Sequence, residues 1–380
     1  MTVFNSAHGD LKLARWPQIA NDPLQAWDAA DEYLLHHLVE QQMINNGNSL
    51  KVLIVNDMNG ALSCALHQFV PVNWSDSINS HTAALENAST NFNEATLSLL
   101  KSTDNPSGYF DLVLVKVPKT NALLEHQLIQ LRPAIHSKTV FIAAGMVKHM
   151  QRSAFQAIEK FIGPLTTSMA VKKARLIFST PTESMQKIVS PFPSRYVDEE
   201  TGLTMVNHAN VFSRGRLDSG SRLLISQIPK ITSANKVADL ACGNGVLGIS
   251  YKQHHPDTNL LFTDESYMAV ESAKINHQTC FPDSHTQTQF VTQNGLANVA
   301  DGTLDLVICN PPFHQQHAIG EAVATGLFKD SKRCLRRGGQ LWIVANHHLG
   351  YKDKLTRLFG HCSSVTKNRQ FVVLQSIKRG

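Results

Sequence analysis

KVADLACGNGVLGISY, residues Lys236–Tyr251, is the stretch that decides the fold. Its first part predicts a buried strand, and its last part has the periodicity of a helix. Between them, Gly243 and Gly245 allow the backbone to turn tightly and to approach a ligand. The helix start beyond these glycines supplies unpaired N–H groups. A Gly-x-Gly segment is a weak signal by itself, because dinucleotide sites share it.

Strand and helix patterns alternate from this stretch to the end of the sequence. The segments that predict strands are KVADLAC, NLLFTDE, LDLVICN, GQLWIVAN and QFVVLQSI. ESYMAVESAKINHQ and EAVATGLFKDSKRCL have helical periodicity. This alternation predicts an α/β domain with a parallel sheet covered by helices on both faces. A hairpin is expected just ahead of the domain, in YVDEETGLTMVNH, with its turn near Glu200–Gly202.

The first half of the sequence repeats the same order of patterns. KVLIVNDMNGALSCAL (Lys51–Leu66) corresponds to Lys236–Tyr251, and FDLVLVKVPK (Phe110–Lys119) corresponds to LDLVICNPPF (Leu304–Phe313). KTVFIAAG corresponds to GQLWIVAN, and KKARLIF corresponds to KNRQFVV. Four matches in one order predict a duplicated domain.

The segment TPTESMQKIVSPFPSR, from Thr180 to Arg195, is rich in Pro, Ser and Thr and predicts a linker. We therefore expect two tandem domains, residues 1–185 and residues 186–380.

Composition narrows the class of protein. The chain is 42% hydrophobic and 17% charged, which is ordinary for a globular protein. No apolar run approaches the roughly 20 residues of a membrane span, and the first residues contain no signal-peptide core. The six cysteines are scattered without a Cys-x-x-Cys pair. A reduced cytoplasmic protein without a structural zinc site and without a membrane partner is expected.

Charge is unevenly distributed along the chain. Residues 1–185 carry 14 basic and 15 acidic side chains, whereas residues 186–380 carry 21 and 15. Within the first domain, residues 112–185 carry 10 basic and only 3 acidic side chains. Such a basic region suits a polyanionic partner such as a nucleic acid, and solvated helix faces are the alternative explanation.

Acidic residues flank the glycine segment. Asp239 precedes it, the expected third glycine is displaced to Gly248, and Asp264 ends the next predicted strand. A carboxylate at Asp264 can accept hydrogen bonds from both hydroxyls of a ribose, and a helix cap is the alternative. Asp-x-x-x-Gly-x-Gly with a later Asp resembles the S-adenosyl-L-methionine site of class I methyltransferases. The resemblance implies these cofactor-binding residues: Asp239, Ala241, Cys242, Gly243, Gly245, Asp264 and Asn294.

Asn310, Pro311, Pro312 and Phe313 form the sequence NPPF at the end of a predicted strand. This motif resembles that of methyltransferases acting on planar nitrogens. An exocyclic NH2 donates its lone pair into the ring and is a poor nucleophile. The Asn310 side-chain oxygen and the Pro311 carbonyl can accept its two hydrogens, the double proline fixes the loop, and Phe313 offers a ring for stacking. The alternative is an ordinary strand-ending turn.

Three further residues, two just after NPPF and one ahead of the glycine segment, have two interpretations each. His314 and His317, in HQQH, suggest metal ligands, but surface histidines explain them more simply, and no metal site is predicted. Asp218 is either the N-cap of the helix SRLLISQI or part of a segment that closes over the site.

NPPF alone does not separate guanine N2 from adenine N6, cytosine N4 or a protein glutamine amide. HANVFSRGRLDSGSRLLISQIP (His208–Pro229), NPPFHQQHA and RCLRRGGQLWIVANHHLGY resemble the bacterial ribosomal RNA guanine-N2 methyltransferases. LQAWDAADEYLL and VKVPKTNALLEHQL, in the first half, resemble the members that act on the large subunit. The resemblance covers nearly the whole chain.

It implies two tandem Rossmann-like methyltransferase domains, of which only the second is active, and 23S ribosomal RNA as partner. We expect the RNA to be protein-free, because a flipped base and two large domains need open access, and we expect no obligate protein partner. The alternatives are a protein glutamine-N5 methyltransferase and a non-catalytic RNA-binding assembly factor.

The first copy has lost the residues that such a reaction needs. Met58 stands at the position of Gly243, Lys116 at that of Asn310 and Lys119 at that of Phe313. A methionine would obstruct a cofactor, and an ammonium cannot accept a hydrogen bond from an NH2. We therefore expect RNA placement by the first copy, through phosphate contacts. The residues predicted to bind RNA are Lys116, Lys119, Lys172, Lys173 and Arg175.

Overall fold

The computed structural model describes residues 2–19, 22, 24–44, 49–93, 96–182, 188–312 and 317–379. The chain divides into two compact units, Met1–Phe192 and Pro193–Gly380. This division lies within the predicted linker. None of the helices in the described ranges is long and apolar enough to cross a membrane.

The N-terminal unit is built around one seven-stranded sheet and a separate hairpin. Its strands are β1 (Thr2–Ser6), β2 (Gly9–Leu13), β3 (Val52–Val55), β4 (Val72–Ser75), β5 (Ser98–Lys101), β6 (Leu112–Lys116), β7 (Val140–Met146), β8 (Leu165–Thr167) and β9 (Ala174–Ser179). Its helices are α1 (Ala29–Glu40), α2 (Ala61–Ala65), α3 (Ile78–Asn91), α4 (Asn121–Leu131) and α5 (Arg152–Phe161).

The C-terminal unit repeats this plan. Its strands are β10 (Ser194–Val197), β11 (Thr204–Asn207), β12 (Lys236–Leu240), β13 (Asn259–Asp264), β14 (Thr288–Thr292), β15 (Leu304–Cys309), β16 (Leu335–Asn346), β17 (Ser363–Lys367) and β18 (Phe371–Ile377). Its helices are α6 (Ser219–Ile225), α7 (Val246–His254), α8 (Tyr267–Cys280), α9 (His317–Cys334) and α10 (Tyr351–Phe359).

The two sheets have the same topology. Strands follow the order β5-β4-β3-β6-β7-β9-β8 in the first unit and β14-β13-β12-β15-β16-β18-β17 in the second. The hairpin β10–β11, predicted from the sequence, pairs Ser194 with Asn207 and Val197 with Thr204. The predicted α/β fold and its duplication are confirmed.

Each sheet is covered on both faces, as predicted. Successive residues of a strand point to opposite faces. In β12, Val237 belongs to one apolar cluster and Ala238 to another, and Leu306 and Val307 of β15 divide in the same way. The first unit likewise has one cluster on each face of its sheet.

The sheet of the second unit is parallel, as predicted, except at one edge. The pairs along β14-β13-β12-β15-β16 are parallel, but β18 is antiparallel to β16 and β17 is antiparallel to β18. The connection between β17 and β18 is only a short turn, and such a turn can join only antiparallel neighbours.

A buried asparagine makes the same three hydrogen bonds in both units. In α8, the Asn276 amide donates to the carbonyls of Val206 and Asn244 and accepts from the Val206 N–H. In α3, the Asn87 amide donates to the carbonyls of Ala14 and Asn59 and accepts from the Ala14 N–H. Each asparagine thereby ties the hairpin region to the loop after the first central strand. We call this arrangement the asparagine clamp.

Candidate active site

The glycine loop lies between β12 and α7, at the carboxyl end of the central strands. Two hydrogen bonds attach it to β13: the Cys242 N–H donates to the Thr263 carbonyl at 3.0 Å, and the Gly243 N–H donates to Asp264 Oδ2 at 3.0 Å. Gly243 has φ +54°, and a Cβ added there would meet no atom of the described residues within 4 Å. The backbone at Gly243 therefore faces open space.

The other two glycines serve packing. A Cβ on Gly245 would lie 2.9 Å from Ala273 Cβ, and a Cβ on Gly248 would lie 2.6 Å from the Phe262 ring. Gly245 and Gly248 thus let α7 approach α8 and β13. The loop is also left-handed at Ala241, where φ is +55°.

Asp239 is completely buried at the end of β12. Its Oδ2 accepts a hydrogen bond from the Gly248 N–H at 2.8 Å. No group among the described residues donates to its Oδ1. The pKa of Asp239 is raised to about 8, chiefly by burial; the hydrogen bond from the Gly248 N–H opposes the rise, and the negative charge of Asp264 contributes to it. Asp239 supports the start of α7, and its contact with a cofactor stays a prediction.

Asp264 ends β13 and holds the glycine loop. Its Oδ2 accepts from the Gly243 N–H and its Oδ1 from the Ser266 N–H, each at 3.0 Å. Both carboxylate oxygens thus fix the backbone around the glycine loop, and the contact of Asp264 with ribose hydroxyls stays a prediction. Asn294, after β14, is half-buried, and its backbone carbonyl accepts from the Ala297 N–H.

Asn310 directly follows β15 and has a strongly asymmetric environment. Its Nδ2 donates to Asp218 Oδ2 at 3.1 Å and to Ser221 Oγ at 2.9 Å. Its Oδ1 is buried, and nothing in the described part of the chain donates to it. Pro311 is buried and Pro312 half-buried. Phe313 and His314 lie outside the described residues, so what was expected of their side chains stays a prediction.

Asp218 is the N-cap of α6, because its Oδ2 accepts from the Ser221 N–H at 2.9 Å. The N-cap interpretation is confirmed. The contact from Asp218 and Ser221 to Asn310 was not predicted, since it joins residues 92 and 89 positions apart. The available signal was an Asp and a Ser at the start of a helix, upstream of an asparagine at a strand end.

Lys116 in the N-terminal unit occupies the position of Asn310 but has different partners. Its Nζ donates to Asp28 Oδ1 at 2.7 Å and to Asp31 Oδ1 at 2.5 Å, and its side chain is only 14% exposed. Burial lowers the pKa of Lys116, but the two carboxylates raise it by more. The predicted phosphate contact of Lys116 is inconsistent with this environment, because the ammonium is enclosed by the carboxylates of Asp28 and Asp31.

The other residues predicted to bind RNA have mixed placements. Lys119 and Lys173 are exposed. Lys172 is exposed, but its Nζ donates to Glu32 Oε2 at 2.7 Å. Arg175 is half-buried. Met58, at the position of Gly243, is 69% exposed.

The comparisons with known proteins match the whole chain. Residues 1–183 match the RLMG N-terminal domain family, and residues 202–375 match the methyltransferase small domain family. Ribosomal RNA large subunit methyltransferase G of Streptomyces griseus is 44% identical over 385 residues, and that of Ectopseudomonas mendocina is 45% identical over 380 residues. Both alignments cover all of each chain.

The chain belongs to the ribosomal RNA large subunit methyltransferase G family. The family resemblance predicted from the sequence is thereby confirmed. Among solved structures, the Thermus thermophilus 16S rRNA N2 G1207 methyltransferase RsmC, in complex with AdoMet and guanosine, has a TM-score of 0.74 at 18% identity. That alignment covers 100% of this chain and 98% of the other, so the methyltransferase G family and RsmC share the duplicated fold.

Proposed function

We propose that this protein transfers a methyl group from S-adenosylmethionine to the exocyclic N2 of a guanine in 23S ribosomal RNA. The observation that carries the proposal is the buried Asn310 Oδ1, an acceptor at the carboxyl end of the central strands without a donor in the described part of the chain. A buried acceptor of this kind costs free energy unless a ligand supplies the donor.

The residues present fit the cofactor. The open face at Gly243 admits a ligand against the backbone, and Asp264, whose carboxylate lies beside Gly243, is the residue expected to accept from the ribose hydroxyls. Ala241, Cys242, Asn294 and the support from Asp239 complete the predicted cofactor site. When bound, S-adenosylmethionine supplies an electrophilic methyl group on a sulfonium.

The protein's part in the chemistry is to prepare the amine. Asn310 Oδ1 and the Pro311 carbonyl accept hydrogen bonds from the two N–H groups of the exocyclic amine and draw its nitrogen towards tetrahedral geometry. Positive charge grows on this nitrogen as it attacks, so the two acceptors stabilise the transition state more than the ground state. A strong general base is unnecessary, because the proton becomes acidic once the methyl group is attached.

The choice of guanine N2 over other planar nitrogens rests on the sequence resemblance to guanine-N2 methyltransferases. The choice of 23S RNA rests on the full-length similarity to ribosomal RNA large subunit methyltransferases G. We further propose that the N-terminal unit places the RNA, through exposed cations such as Lys119 and Lys173, and that the reaction uses protein-free RNA in the cytoplasm. A base flipped out of structured RNA needs open access to the site.

Methyl transfer from labelled S-adenosylmethionine tests the proposal. The acceptors are protein-free 23S RNA, assembled large subunits, 16S RNA and ribosomal protein, and mass spectrometry of the digested RNA identifies the modified nucleoside. We expect N2-methylguanosine in protein-free 23S RNA. Label in protein, in another nucleoside, or in no acceptor at all contradicts the proposal, and label only in assembled subunits contradicts its protein-free part.

A further inference from the structure

We infer that Asp218 and Ser221 are positioning residues that fix which way the Asn310 amide faces. They hold the amide so that its oxygen, and not its NH2 group, is presented to the substrate amine. The inference rests on the proposed function, because it gives two side chains that contact Asn310 a task in that reaction.

The first argument concerns hydrogen-bond chemistry. An ionised carboxylate only accepts hydrogen bonds, so the Asn310 group that faces Asp218 has to be the NH2. Rotating the amide by a half-turn would bring Asn310 Oδ1 against Asp218 Oδ2, with two acceptors in contact. The Ser221 hydroxyl can donate or accept and therefore adapts to the orientation that Asp218 sets.

Burial supplies the second argument. Asn310 Oδ1 has no donor within the described ranges, although the opposite side of the same amide makes two hydrogen bonds. A side chain free to turn would exchange these two environments. Asp218 and Ser221 hold the amide in one of them, and the oxygen is thereby kept ready for an external donor.

The N-terminal unit supplies an independent third argument. Asp28 is the N-cap of α1 and Asp31 its third residue, just as Asp218 and Ser221 stand at the start of α6. Lys116 donates to both, as Asn310 does in the second unit. The contact between strand end and helix start is therefore common to both units. Only in the C-terminal unit does the donor also carry an acceptor, on its other side.

Two substitutions at Asp218 separate positioning from capping. Gly is almost as good an N-cap as Asp but offers no side-chain acceptor to Asn310. Asn also caps well, and one amide oxygen can accept from both Asn310 Nδ2 and the Ser221 N–H, as Asp218 Oδ2 does now. We expect Asp218→Gly to lower kcat on protein-free 23S RNA about 10- to 100-fold, less than the roughly 10²–10³ lost when a preorganised group is removed outright. We expect Asp218→Asn to stay near the wild type.

Several readouts separate this role from a merely structural one. In Asp218→Gly, KM for RNA and the calorimetric affinity for S-adenosylmethionine should stay unchanged, since only the amine acceptor is misaligned. Ser77→Gly, which removes the N-cap side chain of α3 in the N-terminal unit, is the matched control and should leave kcat unchanged. In an Asn310→Ala background, Asp218→Gly should cause no further loss in single-turnover rate.

Three outcomes would overturn the inference: wild-type kcat in Asp218→Gly, equal losses in the Gly and Asn variants, or additive losses with Asn310→Ala. A loss confined to KM or to cofactor affinity would equally contradict it. The proposed function fails separately, if the wild-type protein itself transfers no methyl group to RNA.

Discussion

Lys116 and Asn310 make the same contact in the two units with opposite consequences. Each stands at the end of a central strand and donates to the N-cap aspartate of a helix, Asp28 or Asp218. The ammonium of Lys116 can only donate hydrogen bonds, so it has no acceptor to offer to a substrate N–H. The amide of Asn310 keeps an oxygen on its far side, where it can accept a substrate hydrogen.

Lys116→Ala is expected to destabilise the N-terminal unit, not to weaken RNA binding directly. The substitution leaves Asp31, 8% exposed, without its cation. Breaking one partner out of such a buried pair costs about 3–5 kcal/mol. Denaturant unfolding measures the loss, and RNA affinity is compared under conditions in which both proteins are folded. Wild-type stability together with reduced RNA affinity would restore the phosphate-contact hypothesis.

Asn310→Ala is expected to lower kcat by about 10²–10³, because it removes a preorganised acceptor. Cofactor affinity should survive, since Asn310 donates to Asp218 and Ser221, whereas the cofactor site is proposed at the glycine loop and Asp264. Single-turnover methylation and calorimetry measure the two quantities. Near-normal turnover would show that the amine is activated elsewhere.

Asp264→Ala is expected to weaken S-adenosylmethionine binding by on the order of 2–4 kcal/mol, the cost of two lost hydrogen bonds to a charged group. It also releases the Gly243 N–H, so the loop itself loses an anchor. Asp264→Asn, which keeps one oxygen acceptor, should lie between Asp264→Ala and the wild type. Unchanged calorimetric affinity in the alanine variant would leave Asp264 with a structural task alone.

Asp239→Asn is expected to flatten the dependence of stability on pH. The folded pKa of Asp239 is about 8 and its ordinary value is 3.8, so between these values only the folded state holds the proton. Stability from this group is full below pH 3.8 and is lost as pH rises through 8, at most about 1.4 kcal/mol per pH unit. Denaturant unfolding at about pH 5.5 and 7.5 compares the two proteins. Parallel pH dependences would refute a protonated Asp239.

Lys119→Ala combined with Lys173→Ala is expected to weaken RNA binding and to reduce its salt dependence. Each phosphate contact contributes close to one unit of slope in a plot of log affinity against log salt for double-stranded nucleic acid, and somewhat less for single strands. Filter binding at several salt concentrations measures this slope, while cofactor affinity should not change. An unaltered slope would place the RNA contacts on other residues.

The fold could be predicted because its signals are local. Strand runs such as KVADLA and the helix in Tyr267–Cys280 show in the order of residues, and their repetition in the first half predicted the duplication. The antiparallel edge could not be predicted, since β17 is the short, largely polar segment SSVTK.

The site could be predicted only where a motif carries it. The glycine loop, Asp264 and Asn310 stand out as short patterns at strand ends. The partners of Asn310 and Lys116 do not, because they are ordinary N-cap residues about ninety positions away along the chain. The sequence does not distinguish a lysine whose ammonium contacts a phosphate from one that is enclosed by carboxylates, because the two differ only in burial.

The asparagine clamp has a consequence for the history of the two units. Three identical hydrogen bonds at Asn87 and Asn276 indicate that the clamp existed in a single ancestral unit, before the gene was doubled. The residues at the ligand-facing positions then diverged between the two units, whereas the asparagine clamp was retained in both. The first unit is thus suited to engineering. Met58→Gly, Lys116→Asn and Asp31→Ser would restore the residue types of the second unit on a backbone that the clamp already supports.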